Sequence, residues 1–127
     1  MVPAGGGYGG GFTVSVKVST RQVGKVTVVD APARITAGEA ATSLRDTIRG
    51  LASGGRKKLL VNLADTSYMD SSGIGELVSA FTTLANQGGV MKLLKLTKRV
   101  EDLLQSTKLY TVFEVYDDEA KALASFQ

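Results

Sequence analysis

The residues best suited to chemistry form one short polar cluster, Asp70-Ser71-Ser72-Gly73, within the stretch YMDSSGIGEL. The cluster lies between a largely apolar run over residues 59–63 and an amphipathic run that begins at Ile74. A serine displayed beside a carboxylate can act as a nucleophile or accept a phosphoryl group. Ser and Asp are also the side chains that most often cap the start of a helix. The residue types alone leave both interpretations open.

The composition argues against most enzyme classes. The 127 residues include no Cys and no His, which excludes thiolate nucleophiles, His-dependent triads and metal sites built on either residue. A nucleophilic serine would need another base, and no Lys stands three residues after Ser71 or Ser72. The carboxylates lack the spacing of a calcium loop. We therefore expect a protein that is not an enzyme and that holds no metal or other cofactor.

The sequence also limits the location and the partners. No basic segment followed by an apolar run indicates a signal peptide, and no apolar stretch approaches the roughly 20 residues of a membrane helix. We therefore expect a cytoplasmic protein without a membrane partner. The formal net charge is +3, but the basic residues are scattered apart from Arg56-Lys57-Lys58, which no aromatic residue interrupts. This pattern predicts no nucleic-acid partner.

Two regions differ in composition. Residues 1–11, MVPAGGGYGGG, contain six glycines and too few apolar side chains to offset the entropy lost on ordering. We expect them to form a flexible tail. Residues 12–127 have the patterned apolar residues of one globular domain.

The first half of this domain predicts a hairpin, a helix and a buried strand. Residues 12–20 and 25–31 have the alternation and β-branched residues typical of strands, and the short turn ending at Gly24 predicts that they pair. A helix follows, with Thr36 and Glu39 as a capping box and Gly54-Gly55 at its end. The apolar run over residues 59–63 then indicates a central parallel strand.

The second half of the domain is predicted to continue the alternation of helices and strands. An apolar stripe at helical spacing predicts a helix after Ser72, formed by Ile74, Leu77, Val78, Phe81, Leu84 and Ala85. The later patterns predict a strand over 90–96, a helix over 97–109, a strand over 111–116 and a helix over 117–126. The order β-β-α-β-α-β-α-β-α predicts an α/β fold with one mixed β-sheet and helices mainly on one face.

Within this fold, the polar cluster lies where a central strand ends and a helix begins. Ligand and partner sites of open α/β sheets collect at the carboxyl ends of the strands. The free amides of the first helical turn also favour an anion. We therefore place the functional site at residues 70–73.

The stretch VNLADTSYMDSSGIGEL resembles the signature of STAS domains of the bacterial anti-sigma factor antagonist (anti-anti-sigma factor) type, in which an apolar strand ends in Asp-Ser-Ser/Thr-Gly-Leu/Ile-Gly. The segments GKVTVVDAPARITAGEA before it and GGVMKLLKLTKRVEDLLQSTKLYTVFEVYDDEAKALASF after it are similar to the same family. The resemblance spans residues 12–127. It implies a STAS-type mixed sheet and a regulatory protein-binding module, not a catalyst.

The resemblance further implies a phosphorylation switch in transcription. Such antagonists bind an anti-sigma factor that is also a serine protein kinase, and so free a sigma factor. The kinase inactivates the antagonist by phosphorylating the first serine of the motif, and a metal-dependent serine phosphatase reverses this. The first serine here is Ser71; Asp70 would help to present it, Ser72 would mainly cap the helix, and Gly73 and Gly75 would keep bulk away from the partner. We expect a monomer or weak dimer.

Tyr68 and Met69, just before the motif, permit two interpretations. Exposed, they would suit a partner-binding surface, since aromatic residues and Met are common in interfaces. Buried, they would close the end of the strand as core residues. We predict that Tyr68, Met69 and Gly75 contact the partner.

Two features leave the function partly open. Family members commonly have Gly where this chain has Ala33, and the preceding Pro32 fixes φ and lacks an amide donor, so the local turn and the choice of partner can differ. STAS domains also act as ligand-sensing modules for a nucleotide or lipid, or as scaffolds, without a phosphorylation cycle. That module is the alternative function.

Overall fold

A computed structural model describes residues 18–126 of the chain. The expected flexible tail over residues 1–11 and most of the strand expected over residues 12–20 lie outside these residues. The elements are β1 (Ser19–Val23), β2 (Val26–Asp30), β3 (Arg34–Ile35), α1 (Glu39–Ser53), β4 (Lys58–Asn62), β5 (Tyr68–Met69), α2 (Ser71–Asn86), β6 (Val90–Leu94), α3 (Lys98–Ser106), a 3₁₀ turn (Leu109–Thr111), β7 (Val115–Tyr116) and α4 (Glu119–Ala124).

The predicted α/β fold with one mixed sheet is confirmed. The main sheet has the strand order β1-β2-β4-β6-β7, in which β1 is antiparallel to β2 and the remaining neighbours are parallel. The central strand β4 carries Leu59, Leu60 and Val61, all fully buried. Its burial on both faces explains the nearly continuous apolar run in the sequence.

The turn that follows the first described strand is shorter than predicted. The sequence predicts a turn over residues 21–24, but Ser19–Val23 pairs with β2 in the register Ser19↔Asp30 to Val23↔Val26. Only Gly24 and Lys25 form the turn, and Gly24 supplies a positive φ of 61°. An edge strand needs only backbone pairing on one side, so its polar side chains can stay exposed and give no alternating apolar signal.

Two short strands were not predicted. Arg34–Ile35 and Tyr68–Met69 form a separate two-stranded parallel sheet, with Arg34 opposite Tyr68 and Ile35 opposite Met69. Strands of two residues are too short to show any periodicity in the sequence. This small sheet leads directly into α2 and therefore helps to position the candidate site.

The helices pack mainly on one face of the sheet, as predicted. That face and helices α1, α2 and α3 bury one large cluster, which includes Val29, Leu44, Val61, Leu77 and Val100. The opposite face carries a smaller cluster with α4, formed by Val26, Val28, Leu60, Leu94, Ala122 and Phe126. On this smaller face, the buried Lys92 donates from Nζ to the carbonyl and Oγ of Ser125 at 3.0 Å each, which fixes the end of α4.

The apolar positions of the first two helices are largely as predicted, but one cap is not. Leu44, Ile48, Leu77 and Leu84 are buried, whereas Ala85 at the end of the predicted stripe is exposed. The predicted capping box at Thr36 and Glu39 does not form, because α1 begins after Gly38 and no side chain caps it. The chain reaches α1 through Gly38 at a φ of 105°, a conformation unsuited to a capping Ser or Thr.

Candidate functional site

The candidate site lies at the start of α2, which follows β5 after a single residue, Asp70. The backbone N–H of Asp70 donates to the carbonyl of Ile35 at 3.3 Å, which continues the pairing of β5 with β3. The first turn of α2 is thus held against β3. The short strand pair, not a loop, sets where the two serines are displayed.

Asp70 is the N-cap of α2. Its Oδ1 accepts hydrogen bonds from the backbone N–H groups of Ser72 at 2.9 Å and Gly73 at 3.2 Å, which would otherwise lack partners. Its Oδ2 accepts from the N–H of Ala37 at 3.4 Å. Asp70 therefore ties α2 to the segment between β3 and α1. The expectation that Ser72 mainly caps the helix is wrong, because Ser72 already lies inside α2 and donates to the cap.

Ser71 and Ser72 are the first and second residues of α2, and both are exposed. A hydroxyl at this position is accessible to another protein, and the positive end of the helix dipole lies beneath it. An added anion would therefore be tolerated by the fold. Exposure alone does not separate the two serines.

The two glycines of the motif have different surroundings. Gly73 is buried, and a Cβ there would lie 2.6 Å from the Ile35 carbonyl oxygen and 2.7 Å from Met69 Cγ. Gly73 is therefore required by packing inside the chain and not, as expected, for clearance of a partner. Gly75 is exposed, and a Cβ there would have no neighbour within 4 Å. Its contact with a partner stays a prediction.

The neighbouring side chains of Met69 and Tyr68 differ in burial. The Met69 side chain has 0% exposure and packs in the large cluster, so the expectation of an exposed methionine at the partner surface is wrong. Residues alternate across a strand, and this places Met69 inward and its neighbour Tyr68 outward. Tyr68 is half-buried, with the guanidinium carbons of Arg34 and Arg99 over its ring at 4.7 Å and 4.5 Å from the centroid.

Two threonines that belong to no sequence motif connect the loops around the site. The Oγ1 of the fully buried Thr66 donates to the Pro32 carbonyl at 2.8 Å, and the Oγ1 of Thr97 donates to the Thr66 carbonyl at 2.6 Å. The Ala33 carbonyl accepts from the N–H of Ser67 at 2.9 Å. The unusual Pro32-Ala33 turn is therefore fixed to the segment before β5. Single polar residues in loops give no periodic signal, so only the structure identifies them.

The described residues 18–126 hold neither a group of metal ligands nor a membrane-spanning helix. No group of three or more His, Cys, Asp or Glu side chains there is arranged to hold a metal ion. In the same part of the chain, no helix has the length and apolar character needed to cross a bilayer.

The fold of this chain is shared with known proteins. The family model of the STAS domain matches residues 17–122, and the chain therefore belongs to the STAS domain family. Among solved structures, the phosphorylated form of the Bacillus cell fate determinant SpoIIAA aligns with a TM-score of 0.71 at 19% identity, over 87% of this chain and all of that one. This likeness, at such low identity, shows the fold.

The curated relatives point to one kind of regulator. The anti-sigma-B factor antagonist of Bacillus subtilis is 38% identical over 72 residues, which are 57% of this chain and 65% of the relative. The anti-sigma F factor antagonist of Paenibacillus polymyxa is 28% identical over 69 residues, 54% of this chain and 59% of the relative. The matches thus span about three fifths of the length of these relatives.

Proposed function

We propose that the chain is an anti-sigma factor antagonist whose binding is controlled by phosphorylation of Ser71. The unmodified protein binds an anti-sigma factor that is also a serine protein kinase, and this releases a sigma factor. The observation that carries the proposal is the exposed Ser71 at the first position of α2, directly after the capping Asp70. Its relatives named as antagonists support the same function.

The choice of Ser71 over Ser72 rests on the motif, because both serines are exposed. In the family that the motif resembles, the first serine after the aspartate accepts the phosphoryl group. Ser71 is the residue directly after Asp70, whereas Ser72 lies one residue further into the helix. Ser71 therefore holds the position of that first serine.

The phosphate would act on binding through charge and volume. A phosphoserine carries about −1.5 to −2 charges at neutral pH. The Asp70 carboxylate, which already accepts two of the first amides of α2, would repel it and keep it at the surface. A bulky dianion on the docking surface then separates groups that would otherwise pack closely against the partner. Loss of affinity follows without any need to unfold the site.

The proposed partners follow from this cycle. They are the anti-sigma factor with serine kinase activity and a metal-dependent serine phosphatase that restores Ser71. We infer that the chain acts in the cytoplasm as a monomer or weak dimer, without catalytic activity, metal, cofactor, membrane or nucleic-acid partner. Tyr68 and Gly75, which flank the serines, are the proposed contacts with the kinase.

The test uses the ATPase-type anti-sigma kinases encoded in the genome that encodes this chain. Each is incubated with ATP and wild type, Ser71→Ala or Ser72→Ala, and the phosphate is mapped by mass spectrometry. We expect wild type and Ser72→Ala to be phosphorylated at Ser71 and to lose the kinase. Ser71→Ala should bind the kinase and stay bound after ATP is added.

The two alanine variants serve as matched controls, since each removes one exposed hydroxyl from the same helical turn. If Ser71→Ala is fully phosphorylated and Ser72→Ala is not phosphorylated, Ser72 is the phosphorylation switch. If no kinase binds the wild-type chain, the proposed antagonist function itself is wrong.

A further inference from the structure

Two positive charges lie over one aromatic ring beside the candidate site. The guanidinium carbon of Arg34 lies 4.7 Å, and that of Arg99 4.5 Å, from the centroid of the Tyr68 ring. The three side chains, here called the arginine–tyrosine cluster, come from β3, β5 and α3. Separate parts of the chain thus converge on one small surface.

The backbone around the cluster is well fixed. Arg34 pairs directly with Tyr68 in the small sheet, and the Thr97 hydroxyl, at the start of α3, donates to the Thr66 carbonyl at 2.6 Å. Tyr68 lies three residues before Ser71, on the strand that leads into α2. The cluster and the phosphorylatable serine therefore belong to the same surface of the molecule.

The charges of the cluster are not neutralised by neighbours. Arg34 and Arg99 are both exposed, and no carboxylate of residues 18–126 lies within 4.0 Å of either side chain. Arg21, by contrast, donates to two carboxylates, Asp30 and Glu119. Guanidinium groups present several donors in a planar fork that matches a carboxylate. The Tyr68 ring stabilises both cations and restricts their positions.

We propose that the arginine–tyrosine cluster binds an acidic segment of the anti-sigma kinase and so contributes to the choice of partner. The inference rests on the proposed function and adds the chemistry of the contact. Charge complementarity selects the occupant: two exposed guanidinium groups without a carboxylate partner fit a segment with two or more Asp or Glu side chains. Single-stranded nucleic acid fits less well, because both guanidinium groups lie over the Tyr68 ring, on which a base would otherwise stack.

The first experiment measures association rates with a kinase that binds the wild-type chain, over a range of salt concentrations. Charge reversal of both arginines, Arg34→Glu with Arg99→Glu, should slow association about tenfold or more at low ionic strength, since complementary charges steer encounter. The difference should shrink as salt is added. The matched control is Lys25→Glu, an exposed reversal in the turn between β1 and β2, and it should change the rate less than twofold.

The outcomes separate this inference from the proposed function. The double variant could associate like wild type at every salt concentration but still lose the kinase on phosphorylation of Ser71. In that case the proposed contact with an acidic segment is wrong, whereas the proposed Ser71 switch is supported. A circular dichroism melt of each variant checks the fold. If Arg34→Glu with Arg99→Glu is unfolded, the milder pair Arg34→Gln with Arg99→Gln replaces it and should slow association in the same direction.

A second experiment does not depend on any kinase. The wild-type chain is titrated with the peptide hexaglutamate, and the arginine Nε–H signals are followed by NMR. Selective shifts at Arg34 and Arg99 would support the cluster as a carboxylate site. Equal shifts at all exposed Arg and Lys residues would overturn it, and so would tight binding of a thymidine oligonucleotide that is lost in the double variant.

Discussion

Gly73 shows how one residue of the candidate site can be required by the fold. The first turn of α2 approaches β3 so closely that a Cβ at this position would lie 2.6 Å from a backbone oxygen of Ile35 and 2.9 Å from its Cγ2. A carbonyl in a paired strand cannot easily move aside. The glycine therefore permits the close contact that places Ser71 and Ser72 at the end of the sheet.

We expect Gly73→Ala to lower the free energy of unfolding by about 1–3 kcal/mol, the usual cost of overpacking, even though Ala favours helices. Gly75→Ala is the matched control, because a Cβ there meets no atom within 4 Å. It should leave stability unchanged or raise it by up to about 1 kcal/mol. Urea unfolding of the three proteins provides the comparison. Equal stability of wild type and Gly73→Ala would show that α2 can shift away from β3 at little cost.

Leu77 tests the packing of the same helix on the sheet. Its side chain is fully buried in the large cluster, so Leu77→Ala should cost about 2–5 kcal/mol of stability. The exposed Thr82→Ala on the same helix should change stability by less than about 0.5 kcal/mol. A loss of similar size in both variants, measured by urea unfolding, would contradict the observed burial.

The sequence predicts the position of the site better than the roles of its residues. The polar cluster at a strand end and the apolar stripe of α2 were enough to place Ser71 at a helix start. The cap could not be assigned, because Asp70 and Ser72 are both good N-caps and a shift of the helix start by two residues exchanges them. The burial of Met69 depends on its pairing opposite Ile35, which the sequence does not show.

Among the elements, β1 and α4 are joined by one ionic network. The Arg21 guanidinium on β1 contacts Asp30 at the end of β2 and Glu119 at the start of α4, each at 2.8 Å. Hydrogen bonding from Arg21 lowers the pKa of the Glu119 carboxyl. Burial tends to raise the pKa of Asp30, but hydrogen bonds from Arg21 and Asn62 outweigh it, so this pKa is also lowered.

This network predicts a loss of stability in acid. Both carboxyl groups have a lower pKa in the folded state than in the unfolded state. The stabilisation that the network provides is therefore complete above the unfolded pKa values of about 4, and it is lost as the pH falls through the folded pKa values. We expect Arg21→Met to lower stability by about 1 kcal/mol at neutral pH, a modest figure because the groups are partly exposed, and to reduce the acid-induced loss. Urea unfolding between pH 7 and pH 2.5 tests this. Parallel pH profiles for both proteins would show that the network does not contribute.

The elements that the sequence predicts poorly are those with few buried side chains. β1 is largely exposed, and β3 and β5 have two residues each, so their pairing depends on backbone hydrogen bonds that any sequence can form. β4, β6 and α2 bury long apolar sets and were predicted within a few residues. The arginine–tyrosine cluster could not be predicted, because it joins β3, β5 and α3, which are distant in the sequence.

Across the molecule, the parallel strands β2, β4 and β6 end on the side where α2 begins. There the exposed serines form the surface, while α2 buries its inner side in the large cluster from Gly73 onward. The smaller cluster under α4 lies on the opposite face of the sheet. A change of charge at the first turn of α2 is therefore predicted to alter the exposed surface there and to leave both clusters intact.

Phosphorylation of Ser71 is therefore predicted to change affinity without changing the fold. The exposed position of Ser71 and the helix dipole at the start of α2 tolerate the added charge, so the melting temperature should shift by no more than about 3 °C, the effect of under 1 kcal/mol in a domain of this size. The affinity for the kinase should fall more than a hundredfold, which needs a penalty of only about 3 kcal/mol. Circular dichroism melts and titration calorimetry of the unmodified and phosphorylated proteins measure both quantities, and Ser71→Asp should show a weaker form of the same pattern. A phosphorylated protein that melts more than about 10 °C lower would mean that the switch acts by unfolding the start of α2 instead.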